Sequence, residues 1–183
     1  PTADYHESEY VGTYFKARTY ITGFTGSAGT AVITQKEACL WTDGRYFVQA
    51  AKELAGTGVT LMKMGQENVP TVEEYLLANT KEGMTIGFDG RVVNEMLGET
   101  LEKTLPERFL SYRSDLIGEI WSDRPALSAE PVWILNDAYT GESAADRLAK
   151  VREKMQENGA EVHILTALDD IAWMLNIRGN DIP

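Results

Sequence analysis

The stretch GFTGSAGTAVITQKEACLWTDGRYF, residues 23–47, decides the fold. Two apolar runs rich in β-branched residues, AGTAVITQ and KEACLWTD, are separated by a polar turn, and this pattern predicts a β-hairpin. Asp43 ends the second run as a good helix N-cap, and apolar residues then recur at helical spacing in GRYFVQAAKELAG. A strand therefore passes into a helix at Asp43, Gly44 and Arg45.

The three glycines at the start of this stretch suggest either a phosphate-binding loop or a purely structural role in turns. A phosphate-binding loop follows a strand and opens a helix, because the helix N-terminus supplies the amides and the dipole that hold the phosphate. Here the glycines precede a strand, their spacing is G-x-x-G-x-x-G, and no Gly-Lys-Ser/Thr follows. We therefore predict that they serve turns and close backbone approach at the entry of a buried strand.

Strands and helices alternate through the rest of the first region. The predicted strands are VTLMKM, TIGFDG and RFLSYR, and the predicted helices are YFKARTYITGF, PTVEEYLLANT and VVNEMLGETLEKTL. Thr71 and Glu74 form a capping box directly after Pro70, which marks a helix start. The alternation predicts an α/β layer with a partly parallel sheet.

The stretch SDRPALSAEP predicts a domain boundary near Ala129, so we expect domains over 1–128 and 129–183. The second region predicts the order strand, helix, strand, helix in PVWILN, GESAADRLAKVREKMQENG, EVHILTAL and DDIAWMLNIRG. Its roughly 55 residues are few for an α/β domain. We expect an incomplete domain that is less ordered or pairs with another copy. We also expect the first strand of the first domain to be missing, as in a piece of a longer protein.

The composition excludes several classes of protein. The 183 residues include 17 basic and 28 acidic ones, and the net charge of −11 opposes binding to nucleic-acid phosphates. No apolar run approaches the ~18 residues of a membrane span, and nothing indicates a signal peptide. The single cysteine, Cys39, is predicted to be a small core residue. We therefore expect a cytoplasmic protein without nucleic-acid or membrane partners.

The histidines do not predict a metal site. His6 and His163 are far apart and lack metal-binding spacing. His6, with the acidic residues Glu7 and Glu9, is predicted to lie in a surface loop rather than to bind a divalent ion. His163 is predicted to be a strand residue with a hydrogen-bonded ring.

Two other candidates also favour structural roles. Asp169 and Asp170 stand at a predicted helix start, where capping and the helix dipole favour acidic residues over a catalytic carboxylate pair. Ser27 precedes a strand and lacks the G-x-S-x-G pattern of a nucleophile elbow. Neither candidate therefore favours a catalytic role over a structural one.

Arg45 is the strongest candidate for a ligand contact. It is a cation in the first turn of a predicted helix, where the dipole disfavours positive charge, so another group must hold it. One interpretation is an ion pair with Asp43 or a neighbouring acid, and the other is a contact from the guanidinium to a substrate carboxylate or carbonyl. The aromatic neighbours Trp41, Tyr46 and Phe47 are more typical of a core than of a binding site.

Several stretches, in order along the chain, resemble the N-terminal half of the aminopeptidase P family, the Xaa-Pro aminopeptidases of the creatinase/prolidase group. They are DYHESEY, ITGFTGSAGTAVIT, LWTDGRYFVQAAKEL, DLIGEIWSDRP, YTGESAADRLAKVREKM and LDDIAWMLNIRGNDIP. GFTGSAGTAVIT with WTDGRYF is typical of the N-terminal domain of the group, and IWSDRP with LDDIAWMLNIRG is typical of the long, three-domain form. The resemblance covers nearly the whole chain.

The resemblance implies an α/β fold. It comprises a creatinase/prolidase N-terminal-type domain, with a mixed sheet flanked by helices, and the first part of a second, similar domain. It also implies a metallopeptidase that removes the first residue from peptides with proline in second position, using two manganese ions and a bridging water. In that family the metal ligands belong to a C-terminal domain. This chain is therefore expected to carry no cofactor, metal ligand or catalytic residue, and to be inactive alone.

In the family, the first domain restricts entry to the active site and helps the enzyme to oligomerise, so the resemblance implies a homo-oligomer. The arginine of WTDGRYF contacts the peptide in relatives and matches Arg45, which favours Arg45 as a contact for a proline-containing peptide substrate. Two alternatives stay open. One is a non-catalytic protein-binding module of a creatinase-like protein, and the other is a small α/β ligand-binding protein complete in itself.

Overall fold

A computed structural model describes residues 1–8 and 10–180 of the chain. The chain divides into two compact units, Pro1–Leu127 and Ser128–Pro183. The sequence predicts a boundary near Ala129. Within the described residues, no helix combines the length and the apolar character needed to cross a membrane.

The first unit alternates strands with helices. Its strands are β1 (Thr30–Ile33), β2 (Ala38–Thr42), β3 (Val59–Lys63), β4 (Thr85–Gly87) and β5 (Phe109–Ser111), and its helices are α1 (Ala17–Thr22), α2 (Phe47–Glu53), α3 (Val72–Asn79), α4 (Glu95–Thr104) and α5 (Leu116–Ile120). Short 3-10 turns cover Thr13–Phe15, Gly44–Tyr46 and Gly90–Val92.

The sheet pattern of the first unit is mixed. β2 pairs with β1 in antiparallel and with β3 in parallel orientation, while β4 pairs with β5 in parallel. The predicted hairpin and the α/β fold with a mixed sheet are therefore confirmed. Helix α5 was not predicted, because five residues are too few to show a helical period.

Alternation along β2 explains how helices cover both faces of the sheet. Successive side chains of a strand point to opposite faces. Leu40 packs against Leu54 just after α2, whereas Cys39 and Trp41 pack against Tyr75 of α3. Cys39 is 2% exposed, which confirms it as a core residue.

Helix α3 begins at the predicted capping box. The Thr71 hydroxyl accepts from the Glu74 amide at 3.2 Å, and the Glu74 carboxylate accepts from the Thr71 amide at 2.8 Å. The preceding Pro70 carbonyl accepts from the indole nitrogen of Trp41 at 2.7 Å. The reciprocal bonds satisfy the amides at the helix start, and the indole bond fixes that start to the buried strand β2.

A network of ion pairs and hydrogen bonds connects the C-terminal part of the first unit to its N-terminal part. Asp115, the N-cap of α5, accepts a hydrogen bond from Arg124 and lies 3.3 Å from Nη2 of Arg91. Nε of Arg124 donates to the Tyr14 carbonyl at 2.9 Å, and its guanidinium lies 3.9 Å from the centre of the Tyr14 ring. The side chains of Asp115 and Arg124 are only 17% and 13% exposed, so this ion pair is largely shielded from water.

The network predicts a loss of stability in acid. Burial alone would raise the pKa of Asp115, but hydrogen bonds from Arg124 and the Gly118 amide outweigh it and hold the pKa below its usual 3.8. Such a carboxylate stabilises the fold above its unfolded-state pKa, and this contribution is lost as the pH falls through the folded pKa. We expect wild type to exceed Asp115→Asn in free energy of unfolding at pH 7, and the difference to shrink as the pH falls below about 4. Urea denaturation at each pH measures this difference in free energy of unfolding. A difference that stays constant as the pH falls would contradict the prediction.

Over residues 128–180, the second unit combines helices with a short strand pair. Helices α6 (Asp137–Thr140), α7 (Ala144–Glu157) and α8 (Leu168–Leu175) accompany strands β6 (Trp133–Ile134) and β7 (Ile177–Arg178), which pair antiparallel. Strand β6 and helices α7 and α8 were predicted from the sequence, whereas α6 and β7 were not.

The predicted strand EVHILTAL is wrong. Residues 162–167 have no regular structure, and Val162 and Ile164 are 73% and 78% exposed. A strand needs a partner for its backbone and a surface for its apolar face, and this segment is in no sheet of the described chain. The expectation that this region is less ordered or pairs with another copy stays a prediction.

Candidate functional site

A cavity of about 380 Å³ lies at the carboxyl end of β2 in the first unit, and we call it the Arg45 cavity. Residues 1, 2, 7 and 8 form one wall, and residues 27–30 of the glycine stretch form another. Thr42, Asp43, Arg45 and Met64 complete it. Its volume is within the usual range for sites that bind small molecules. The structure therefore brings the glycine stretch, Arg45 and residues 1, 2, 7 and 8 around one space.

Asp43 holds the guanidinium of Arg45. Oδ1 of Asp43 accepts from the Arg45 amide at 3.0 Å and from Nε at 2.9 Å, and Oδ2 accepts from Nη2 at 2.8 Å. These hydrogen bonds lower the pKa of Asp43, so it stays ionised at neutral pH. The ion pair that we predicted as one interpretation of Arg45 is therefore present. It does not exclude the other, because the Arg45 side chain is 62% exposed and lines the cavity.

The aromatic residue after Arg45 supports the cavity wall. The Tyr46 and Ser27 hydroxyls are 2.7 Å apart, and the Tyr46 ring meets Phe24 edge to face at 5.8 Å. Ser27 thus bonds to a tyrosine, which fits its predicted structural role. Trp41 is 1% exposed and packs in the core, as expected.

The glycines of residues 23–29 have structural roles. Gly23 ends α1 with a φ of 76°, a left-handed conformation that suits glycine. A Cβ on Gly26 would lie 2.3 Å from the Phe24 ring, and one on Gly29 would lie 2.8 Å from the Trp41 carbonyl oxygen. The predicted turn and close backbone approach are therefore confirmed. The stretch also forms a wall of the Arg45 cavity, which its pattern alone does not indicate.

Arg18 is a buried residue that contacts the glycine stretch, and the sequence did not indicate this role. It is 8% exposed, donates to the Gly26 carbonyl, and lies 4.8 Å from the centre of the Phe24 ring. Burial lowers its pKa to about 10. Its only signal in the sequence is that it is the single charged residue of α1, and this does not reveal burial.

The part of the chain that the structure describes does not fit a metal ion. Within it, no three His, Cys, Asp or Glu side chains converge. His6 is exposed beside Glu7, as predicted for a surface loop, while Glu9 lies outside the described residues. The family resemblance implies a metal site in a different part of the enzyme.

Two predictions in the second unit need correction. His163 is exposed and lies in the irregular segment instead of a strand, because that segment lacks a pairing partner. Asp169 and Asp170 do stand in the first turn of α8, but the N-cap residue is Ala167 and makes no side-chain bond. The two carboxylates therefore act on the helix through its dipole alone.

Comparison with known proteins identifies relatives along the whole chain. Two family models, each described as the creatinase/prolidase N-terminal domain, match residues 12–120 and 123–183. Xaa-Pro aminopeptidase app-1 of Caenorhabditis elegans is 39% identical over 186 residues, and Aminopeptidase P1 of Arabidopsis thaliana is 39% identical over 185. A probable Xaa-Pro aminopeptidase P of Talaromyces marneffei is 42% identical over 188.

These matches cover 100% of this chain but 30%, 28% and 28% of the three relatives. The chain thus spans about 30% of the length of the curated relatives it matches. A crystal structure of the X-prolyl aminopeptidase from Caenorhabditis elegans, described as a cytosolic enzyme with a di-nuclear active site, has a TM-score of 0.85 and 39% identity. That match covers 100% of this chain and 30% of the other. The chain therefore belongs to the creatinase/prolidase N-terminal domain family and corresponds to an N-terminal portion of aminopeptidase P.

Proposed function

We propose that this chain is the N-terminal, non-catalytic part of a metal-dependent Xaa-Pro aminopeptidase. Such an enzyme removes the N-terminal residue from peptides with proline in second position. The observation that carries the proposal is the Arg45 cavity, which lies in a chain similar along its whole length to Xaa-Pro aminopeptidases. A guanidinium binds carboxylate and carbonyl oxygens, and a peptide supplies both. We therefore assign Arg45 a substrate contact.

The proposal separates binding from chemistry. The described residues offer no metal site, so we place two manganese ions in a part of the enzyme outside this sequence. The di-nuclear site of the Caenorhabditis elegans relative supports two ions. Such a pair supplies an activated water for attack on the peptide bond. This chain takes no part in that step, and its role is to shape substrate access.

We further propose a cytoplasmic location and a homo-oligomer. The relative from Caenorhabditis elegans is described as cytosolic, which supports the location. Apolar side chains on the second unit, such as Ile134 at 79% exposure, provide surface that a second subunit would cover.

The decisive experiment uses the complete gene product that contains this sequence. We expect it to release arginine from Arg-Pro-Pro when loaded with manganese, and to lose that activity after removal of the metal. The control peptide Arg-Ala-Pro should resist cleavage, and residues 1–183 alone should be inactive. A metal-loaded protein that leaves Arg-Pro-Pro intact would overturn the proposal in favour of a non-catalytic protein-binding module.

A further inference from the structure

The Asp-Gly-Arg turn that holds Arg45 occurs a second time in the first unit. Asp89, Gly90 and Arg91 follow β4 just as Asp43, Gly44 and Arg45 follow β2. In the second turn, Oδ1 of Asp89 accepts from the Arg91 amide at 3.1 Å and from Nε at 2.9 Å, and Oδ2 accepts from Nη2 at 2.8 Å. The corresponding distances in the first turn are 3.0, 2.9 and 2.8 Å. The same hydrogen-bonded Asp-Gly-Arg turn therefore occurs twice in the first unit.

The surroundings of the second turn differ from those of the first. Nη1 of Arg91 donates to the Tyr5 hydroxyl at 3.1 Å, and Nη2 reaches a second carboxylate, Asp115, at 3.3 Å. The guanidinium lies 5.5 Å from the centre of the Tyr5 ring. Two carboxylates and a tyrosine therefore surround Arg91, whereas Arg45 lines a cavity. Such contacts within the protein are typical of an arginine that fixes neighbouring segments in place.

Arg91 holds the segment that forms one wall of the Arg45 cavity. Tyr5 stands between the wall residues 1 and 2 and the wall residues 7 and 8. Its ring also meets Phe15 edge to face at 4.7 Å. Within the segment, Asp4 accepts from the amides of His6 at 2.8 Å and Ser8 at 2.9 Å, so hydrogen bonds connect the backbone on either side of Tyr5 as far as Ser8.

We infer that Arg91 is a positioning residue for the Arg45 cavity, acting through Tyr5 on the segment 1–8. This inference rests on the proposed function, because it assigns Arg91 an influence on peptide binding. Substrate-binding groups need support from neighbours that lock their geometry, and small displacements weaken binding. Since the hydrolytic chemistry lies outside this chain, loosening the wall acts on KM and leaves kcat nearly unchanged.

The test measures KM and kcat of the complete, metal-loaded gene product on Arg-Pro-Pro. Arg91→Lys keeps the positive charge but loses the planar guanidinium that bonds to two groups at once. We expect KM to rise about 5- to 10-fold, with kcat within about twofold of the wild-type value. Tyr5→Phe should raise KM by a similar factor, and the double variant should raise it no further, because both act through one contact. In an Arg45→Ala background, Arg91→Lys should lose most of its effect.

The matched control is Arg108→Lys. Arg108 also holds backbone, with Nη2 donating to the Thr80 carbonyl at 2.9 Å, but it does not line the cavity. We expect KM to stay at the wild-type value. An unchanged KM in Arg91→Lys, or an equal rise in Arg108→Lys, would overturn the inference.

Hydrogen exchange separates this inference from the proposed function. In Arg91→Lys, the amides of His6 and Ser8 should exchange at least about fivefold faster than in Arg108→Lys, whether or not the protein cleaves peptides. A protein that cleaves no peptide but shows this faster exchange refutes the function and retains the positioning of the segment. Unchanged exchange together with wild-type KM refutes the inference alone.

Discussion

Arg45→Ala is expected to lower kcat/KM for Arg-Pro-Pro by roughly 10- to 150-fold in the complete enzyme. The reason is that the proposed contact with the peptide would lose its charge-assisted hydrogen bonds, which contribute about 1.5–3 kcal/mol. Arg45→Lys keeps the charge but not the planar fork, so it should recover only part of the loss. Steady-state kinetics on the metal-loaded protein provides the measurement.

Two further variants locate the effect at the cavity. Asp43→Asn removes the carboxylate that pairs with the Arg45 guanidinium at 2.8 Å but leaves Arg45 in place. We therefore expect a smaller loss of kcat/KM than with Arg45→Ala. Arg113→Ala removes an exposed arginine of the same unit that does not line the cavity, and its kcat/KM should match wild type. Wild-type kcat/KM in Arg45→Ala would show that the Arg45 cavity does not bind the peptide.

Local signals predicted most of the first unit. The β-branched runs around Cys39, the N-cap at Asp43 and the capping box at Thr71 each depend on neighbours a few residues away, and all three are present in the structure. The strand prediction over EVHILTAL fails for the opposite reason. An apolar run is a local signal, whereas a strand also needs a pairing partner, which is often far along the chain.

The site was predictable only where its chemistry is local. Arg45 stood out because its charge opposes the helix dipole, and its partner Asp43 is two residues away. The wall formed by residues 1, 2, 7 and 8 depends on contacts such as the bond from the Thr2 hydroxyl to the Gly29 carbonyl, 27 residues away. The second Asp-Gly-Arg turn was visible as a repeated tripeptide but was missed, since its role depends on Tyr5, 86 residues before Arg91.

The ion pair between Arg124 and Asp115 predicts the largest effect on stability. Arg124→Ala is expected to lower the free energy of unfolding of the first unit by about 3–5 kcal/mol, because it leaves the carboxylate of Asp115 largely buried without its closest cation. It also removes the bond to the Tyr14 carbonyl and the stacking on the Tyr14 ring. Arg124→Lys keeps a cation near Asp115 but loses the planar contact, so its loss should be intermediate.

An exposed ion pair of the same unit provides the matched control. Lys103 pairs with Glu99 at 2.7 Å on the surface of α4, where the two side chains are 75% and 54% exposed. Such a pair contributes about 0.5 kcal/mol or less, so Lys103→Ala should barely change the urea midpoint. Intrinsic fluorescence of the four tryptophans follows the unfolding, and one of them, Trp121, stacks on Tyr20 at 4.5 Å close to Arg124. Equal losses in Arg124→Ala and Lys103→Ala would mean that water screens the pair and that other contacts hold the end of the unit to its beginning.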